Sequence, residues 1–389
     1  MQEKRIETKG LARSSTGESK TVNRSLYAVL GACAVILSFV ALGGIQPLLG
    51  QGAPAPKQTP RGSSLNPARP ETVPLKTLPV KFDQDYGAAI ARLGEGKYGE
   101  GRLYQMDATL VELPPGGKLA PHKHLYEEMI YIVSGRGYTN MWMAGTTAKK
   151  RYDWSVSDVL SPSLNAWHET VNSSSTEPAR LLLMTSFPLL KHKFGDAAFS
   201  FSSDYPFEDR WKKGLQEPKF LEQPGRNGGA VDRSLMSVGH IIRDMANIKM
   251  PIAFGDPDYP EEGINVVPPT DRSTGVGALA GMAGNRLFEW QNREVIRPDS
   301  EIHGEGDHHH AWEVVYYCPK GELITYLTRQ GKNQPRRTIQ WQEGDLMIVE
   351  ANEIHQHGLP AKGARFLQFK PSGYFRDVGI QAMFGSGGW

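Results

Sequence analysis

The stretch Gly116-Gly117-Lys118-Leu119-Ala120-Pro121-His122-Lys123-His124-Leu125-Tyr126-Glu127-Glu128, followed further on by His168, decides the reading of this chain. It runs straight into Met129-Ile130-Tyr131-Ile132-Val133, a β-branched and aromatic segment that ends at Gly135. On a β-strand alternate residues face the same side. His122, His124 and Glu128 are therefore expected on one face, with Ile130 and Ile132 continuing it as apolar packing. Glu127 and Glu169 alternate to the outer face and read as solvated. His168 would arrive from a neighbouring strand. Three imidazoles and a carboxylate converging on one point suit a divalent transition metal.

Nine of the eleven histidines fall into two clusters, and the second holds His303, His308, His309, His310, His355 and His357, with Glu313 beside them. Its register is open. If Glu313 matches Glu128, the two positions before it fall on Asp307 and His309, and the second set is His309, Glu313 and His355. If the next glycine, Gly321, is matched to Gly135 instead, His308 and His310 take the paired positions and Val314 that of the carboxylate. The surrounding segments repeat as well. A Trp-x-x-(Gly/Ser)-Asp segment (Trp154 to Asp158, Trp341 to Asp345) precedes the late histidine in each half. Glu177-Pro-Ala-Arg-Leu-Leu then corresponds to Lys362-Gly-Ala-Arg-Phe-Leu.

The first cluster fits Gly116-x5-His122-x-His124-x3-Glu128-x6-Gly135 without a gap, and a second part reads Ser157-x5-Ser163-x-Asn165-x2-His168-x3-Asn172. This two-part pattern resembles the cupin superfamily, and the duplication resembles a bicupin. Ser157, Ser163 and Asn165 depart from the family's glycine and proline positions, but asparagine tolerates the left-handed turn that glycine usually fills. The second half keeps Gly344-x5-Glu350-x-Asn352-x2-His355. The resemblance implies an all-β fold of two cupin barrels (double-stranded β-helix, jelly-roll), a partly helical connector between them, and His122, His124, Glu128 and His168 as metal ligands.

Strand-like segments bounded by turn residues occupy residues 86–190, the expected first barrel, and residues 287–389, the expected second. Residues 191–286 read as a connector. Within it Leu235, Val238, Ile241, Ile242, Met245 and Ile248 have helix-like spacing over 234–250. Residues 50–85, rich in Pro, Gly and Ser, read as a tether. Residues 1–25 are basic, and the apolar residues 26–49 approach the length that spans a bilayer. This predicts a transmembrane helix or a cleaved signal segment, the N-terminus cytoplasmic and the barrels periplasmic or extracellular. Cys33 and Cys318 lie in unrelated surroundings, so no disulfide is expected. A net charge of +2 with no basic face argues against a nucleic-acid role.

Mixed nitrogen and oxygen ligation suits Fe(II) or Mn(II), with Zn, Ni or Co as alternative occupants. Tyr131, Tyr138, Trp142, Trp154 and Trp167 are candidates to shape a substrate pocket. The bicupin resemblance implies a dioxygenase of the gentisate dioxygenase-like layout, although that group binds its metal without the glutamate. A Mn-dependent decarboxylase of the oxalate-degrading kind and a non-catalytic binding protein are the alternatives. The expected partners are a small-molecule substrate, the membrane, and further copies of the chain in a homo-oligomer.

Overall fold

A computed structural model of the chain describes residues 72–94, 103–220, 236–237, 239–248, 274–280, 282–287, 289–295, 308–328, 335–358, 364–377 and 383–385. The expected membrane segment, the basic region before it, most of the tether and His303 lie outside the described residues. Among the described residues no helix is long and apolar enough to cross a membrane.

The first half folds as two facing sheets. Strands Lys118–His122, Trp167–Asn172, Arg136–Trp142 and Lys150–Ser155 form one, in that spatial order. The other runs Ile241–Ile242, Val159–Leu160, Glu128–Ser134, Ala179–Thr185, Asp107–Leu113, Ala88–Arg92 and Lys81–Asp83. All of these pairings are antiparallel. The second half repeats the plan. One sheet is Arg337–Gln342, Glu322–Thr328, Ile354–Gly358, His308–His310 and Met383–Gly385. Its companion is Thr72–Pro74, Asp345–Val349, Val314–Lys320, Arg365–Lys370, Glu289–Val295 and Thr274–Ala280.

Period-2 alternation explains why the central strands read as unbroken apolar runs. In Glu128–Ser134, Ile130 and Ile132 face the interior of the first barrel, with Met141, Trp154 and Leu181. Met129, Tyr131 and Val133 face the other way, into a core shared with Val315, Tyr317, Leu346 and Phe369 of the second barrel. Val314, Tyr316 and Cys318 in turn fill the second barrel. A strand buried on both faces has no polar side to alternate with. The large sheets of the two barrels thus pack back to back.

Each barrel borrows a strand from outside its own run of sequence. Thr72–Pro74, in the region read as tether, pairs with Asp345–Val349 of the second barrel. Val73, Leu75 and Leu78 are buried in the shared core. Ile241–Ile242 of the connector pairs with Val159–Leu160 of the first. Thr274–Ala280, also placed in the connector, pairs with Glu289–Val295.

The connector is partly helical, but its helices are Phe187–Phe194 and Glu208–Gly214, not a helix over 234–250. Residues 236–237 and 241–242 are short strands. Gly239 lies so close to the Gln216 carbonyl that no side chain fits. Asp244 then turns with φ +47 while its N–H donates to Asp158 Oδ1. Tertiary pairing has overridden a local period of apolar residues.

Candidate metal centre

His122 ends one strand, and His168 sits directly opposite it on the neighbouring strand. His124 and Glu128 do not share a continuous strand with His122, as the alternation suggested. The chain leaves the sheet at Lys123 and re-enters at Glu128, which opens the next strand. The Leu125 N–H donates to the Ser200 carbonyl and Asn165 N–H to the His124 carbonyl, which shapes the loop between. Asn165 has φ +59, and Ser157 has φ +71 with its hydroxyl bonded to Tyr131. Both occupy the left-handed turns where the two-part pattern has glycine.

The resulting cluster is nearly closed. Ligand nitrogens of His122, His124 and His168 lie within 4.8 Å of one another. Glu128 Oε2 is 3.5 Å from His124 Nε2 and 3.3 Å from His168 Nε2. Each imidazole is oriented by a carbonyl two residues away. Nδ1 lies 2.7 Å from Ala120 O for His122, 2.8 Å from Tyr126 O for His124 and 3.0 Å from Ala166 O for His168. Donation from Nδ1–H leaves each Nε2 lone pair directed at the centre, the usual outer-shell arrangement of a metal-binding histidine.

Burial, reinforced by the neighbouring His168 and His124, pushes the His122 imidazole down to about 3. Burial also lowers His124. For Glu128, burial pushes the carboxyl up, but His124 and His168 outweigh it and hold the group below the ordinary carboxylate range. Neutral imidazoles beside an ionised carboxylate are the protonation states that metal binding requires. His124 Nε2, His168 Nε2 and Glu128 Oε2 are buried without a formed hydrogen bond, although buried polar groups are rarely left so. The four residues fit a divalent cation.

The aromatic surroundings differ from expectation. Tyr131 faces the second barrel and Trp154 the first barrel's interior. Tyr126 instead stacks on His124 at 3.6 Å, and the rings of Phe187 and Phe201 pack against Tyr126 in turn. The segment carrying Phe201 is tied down beside the site. Lys123 bonds to the Ser203 carbonyl and, at 2.6 Å, to Asp204, while the Asn165 amide donates to Ser203 O and Tyr205 O. Trp142 and Trp167 stack on each other, with Lys123 over Trp167. His122, half-buried, is the least enclosed of the three imidazoles.

In the second barrel the structure brings together His308, His310 and His355, whose ligand nitrogens lie within 4.8 Å of one another. This is the register set by Gly321, and it displaces the one set by Glu313. His308 faces His355 across the ladder as His122 faces His168. The Asn352 N–H donates to the His310 carbonyl as that of Asn165 does to His124. Trp312 stacks on His310 as Tyr126 does on His124. His310 Nδ1 lies 2.8 Å from Trp312 O, and His355 Nδ1 3.0 Å from Glu353 O. Burial pushes the His310 imidazole well below its ordinary range. Val314 stands where Glu128 does, His309 alternates away from the cluster on its short strand, and His357 lies beside Thr325.

Glu313 has a different task. Its two oxygens accept the backbone N–H groups of Tyr104 and Gln105, each at 2.8 Å. Glu127, its counterpart, accepts those of Arg286 at 2.7 Å and Leu287 at 2.8 Å, and pairs with Arg210 at 2.7 Å. Glu127 is therefore not solvated but 2% exposed. Tyr104 and Gln105 lead into the first barrel's Asp107–Leu113, and Arg286 and Leu287 into the second barrel's Glu289–Val295. Each barrel's histidine loop thus grips the segment that enters the other barrel. The repeat of two adjacent glutamates after the first histidine pair hid this role, because only one of them can face the metal.

Residues 109–185 match the family model described as a cupin domain. No curated protein matches the chain by sequence. Among solved structures the fold is similar to salicylate 1,2-dioxygenase from Pseudaminobacter salicylatoxidans (13% identity, 95% of this chain and 100% of that one, TM-score 0.53). It is likewise similar to the gentisate adduct of that enzyme (12% identity, 80% of each chain, TM-score 0.52). Oxalate decarboxylase from Bacillus subtilis is more distant (14% identity, 78% of this chain and 77% of that one, TM-score 0.45). Residues 109–185 are thus a cupin domain, and with a second barrel that repeats its strand order and its histidine triad the chain has the fold of a bicupin.

Proposed function

We propose that this chain is a metal-dependent oxidoreductase of the dioxygenase type, acting in its first barrel on a small oxygenated or aromatic substrate. The observation that carries the reading is the set of buried, unbonded atoms His124 Nε2, His168 Nε2 and Glu128 Oε2 aimed at one point. His122, His124, Glu128 and His168 would hold Fe(II) or Mn(II), with Zn, Ni or Co as alternatives. Such an ion, when bound, supplies a Lewis acid and a site at which O2 and a chelating substrate can meet.

The chain's own residues do the rest. The backbone carbonyls of Ala120, Tyr126 and Ala166 fix the imidazoles. Tyr126, Phe187 and Phe201 form an aromatic wall beside His124 that suits a ring-bearing substrate. The gentisate adduct of a protein with this fold supports an aromatic substrate class. Residues 26–49 export the barrels or anchor them to a membrane.

The test is metal analysis and turnover with the full chain. We expect bound Fe or Mn, lost from the first site in His124→Ala, and O2 uptake with gentisate or catechols. CO2 release from oxalate without net O2 uptake would favour a decarboxylase. No bound metal in the wild type would overturn the enzyme reading. Fractionation of cells producing the full chain tests the anchor, which predicts recovery with the membranes.

A further inference from the structure

Among the interior positions at which the two barrels differ, three beside the triads form one pattern. Glu128 of the first barrel is replaced by Val314 in the second. Two residues along each strand, Ile130 is replaced by Tyr316, and on the late-histidine strand Thr170 is replaced by His357. The scaffold behind them is unchanged. Trp154 Nε1 donates to Thr139 Oγ1 at 3.1 Å in one barrel, and Trp341 Nε1 to Thr325 Oγ1 at 3.1 Å in the other. Thr139 then bonds to Thr170 at 3.0 Å, and Thr325 to His357 Nδ1 at 2.9 Å. The Tyr316 ring packs edge-on against His357 at 4.7 Å and its hydroxyl reaches 3.2 Å from His355 Nε2.

That nitrogen is the triad-facing one, since His355 Nδ1 is taken up by the Glu353 carbonyl. The phenol hydroxyl therefore lies at the inner edge of the triad, a polar group entering the site without a negative charge. A divalent ion held by His308, His310 and His355 would keep its full double charge, whereas Glu128 cancels half of it in the first barrel. An anion approaching the first site also meets the Glu128 carboxylate within a few ångströms.

We propose that the second barrel is a receptor for a small carboxylate-type anion, held at a metal on His308, His310 and His355 and accepting a hydrogen bond from the Tyr316 hydroxyl. This rests on the reading of the triads as metal centres. The second barrel then binds a small anion more tightly than the first, where the Glu128 carboxylate offsets part of the metal's charge. The alternative is that Tyr316 and His357 merely fill the barrel, and the test separates the two.

Full-length protein stripped with a chelator and loaded with Co(II) would be titrated with azide while the visible bands are followed. His124→Ala isolates the second site and His310→Ala the first. We expect azide to bind the second site at least about tenfold more tightly than the first, from the absent carboxylate charge. Tyr316→Phe, made in the His124→Ala background, should weaken azide by about fivefold, the worth of one hydrogen bond, and leave Co(II) affinity in place. Glu128→Gln in the His310→Ala background should raise azide affinity at the first site. Equal azide affinities at the two sites, or indifference to Tyr316→Phe, would overturn the proposal. Co(II) at the first site alone would overturn it while leaving the proposed function standing, and Co(II) at neither would overturn both.

Discussion

The reciprocal glutamates give the sharpest structural prediction. Replacing Glu127 by Ala removes a buried acceptor from the backbone N–H groups of Arg286 and Leu287 and from the guanidinium of Arg210. A buried donor left unbonded costs about 1–3 kcal/mol. The Arg210 side chain is 20% exposed and can recover part of its loss from water, so it adds little more than one surface pair. The sum is about 3–5 kcal/mol, in the range for breaking a buried charged pair. At roughly 2 °C per kcal/mol for a chain of this size, the thermal midpoint should fall by ~6–10 °C. The assay is thermal unfolding of metal-free protein, so that loss of metal at the adjacent Glu128 does not contribute. Glu313→Ala should cost about 2–4 kcal/mol, since two N–H groups lose their acceptor. Glu343→Ala is the control. That carboxylate pairs with Lys76, both side chains about half exposed, and its loss should cost no more than about 1 kcal/mol. A Glu127→Ala midpoint within about 2 °C of wild type would refute the inter-barrel clamp.

Other outcomes follow from the same geometry. His124→Ala and His168→Ala should each weaken metal at the first site by more than about 100-fold, beyond the loss seen for outer-shell partners, as read by equilibrium dialysis. His240 donates from Nε2 to Ser163 Oγ and accepts from the Tyr152 hydroxyl, and burial pushes its imidazole from 6.5 down to about 3. The neutral form is favoured on folding, so its contribution is complete above pH ~6.5 and is lost as pH falls toward 3. The urea midpoint should decline over that window, with His240 supplying up to about 1.4 kcal/mol per pH unit. His240→Gln should flatten the decline, and an unchanged slope would count against this account. Gly137→Ala would drive a methyl group into the Val171 carbonyl and the Trp154 ring. It should cost about 3 kcal/mol or prevent folding, measured as soluble yield and midpoint.

Much of this was legible in the sequence because it depends on local spacing. The run from Met129 to Val133 announces a strand buried on both faces, and His122, His124, Glu128 and His168 do come together, around a loop rather than along one strand. What escaped was set by partners far along the chain. Glu127 is buried because residues 159 and 160 positions away bring N–H groups to it. Spacing left two registers open for the second triad, and the pairing of His308 with His355 and the hydrogen bond from Asn352 N–H to the His310 carbonyl select the one set by Gly321. The helix expected over 234–250 failed because Ile241 and Ile242 complete an open sheet edge beside Val159 and Leu160.

Comparing the barrels with each other separates frame from chemistry. Besides the histidines themselves, the positions that match build the frame: Glu127 with Glu313 and Asn165 with Asn352 hold backbone, and the Trp–Thr pairs brace the wall behind each triad. The positions that differ, Glu128 against Val314, Ile130 against Tyr316 and Thr170 against His357, all lie inside the barrels at or just behind the imidazoles. A duplicated fold that had merely decayed in one copy would lose framework and site alike, with small or apolar residues replacing polar ones. Here the second copy exchanges one carboxylate for a valine while gaining a phenol and a further imidazole, both hydrogen-bonded into the barrel wall or the triad. Burying added polar groups is unfavourable unless their bonds are made. The Tyr316 hydroxyl and His357 Nδ1 have theirs on an otherwise matching frame, which argues that the second interior is organised around a polar ligand of its own.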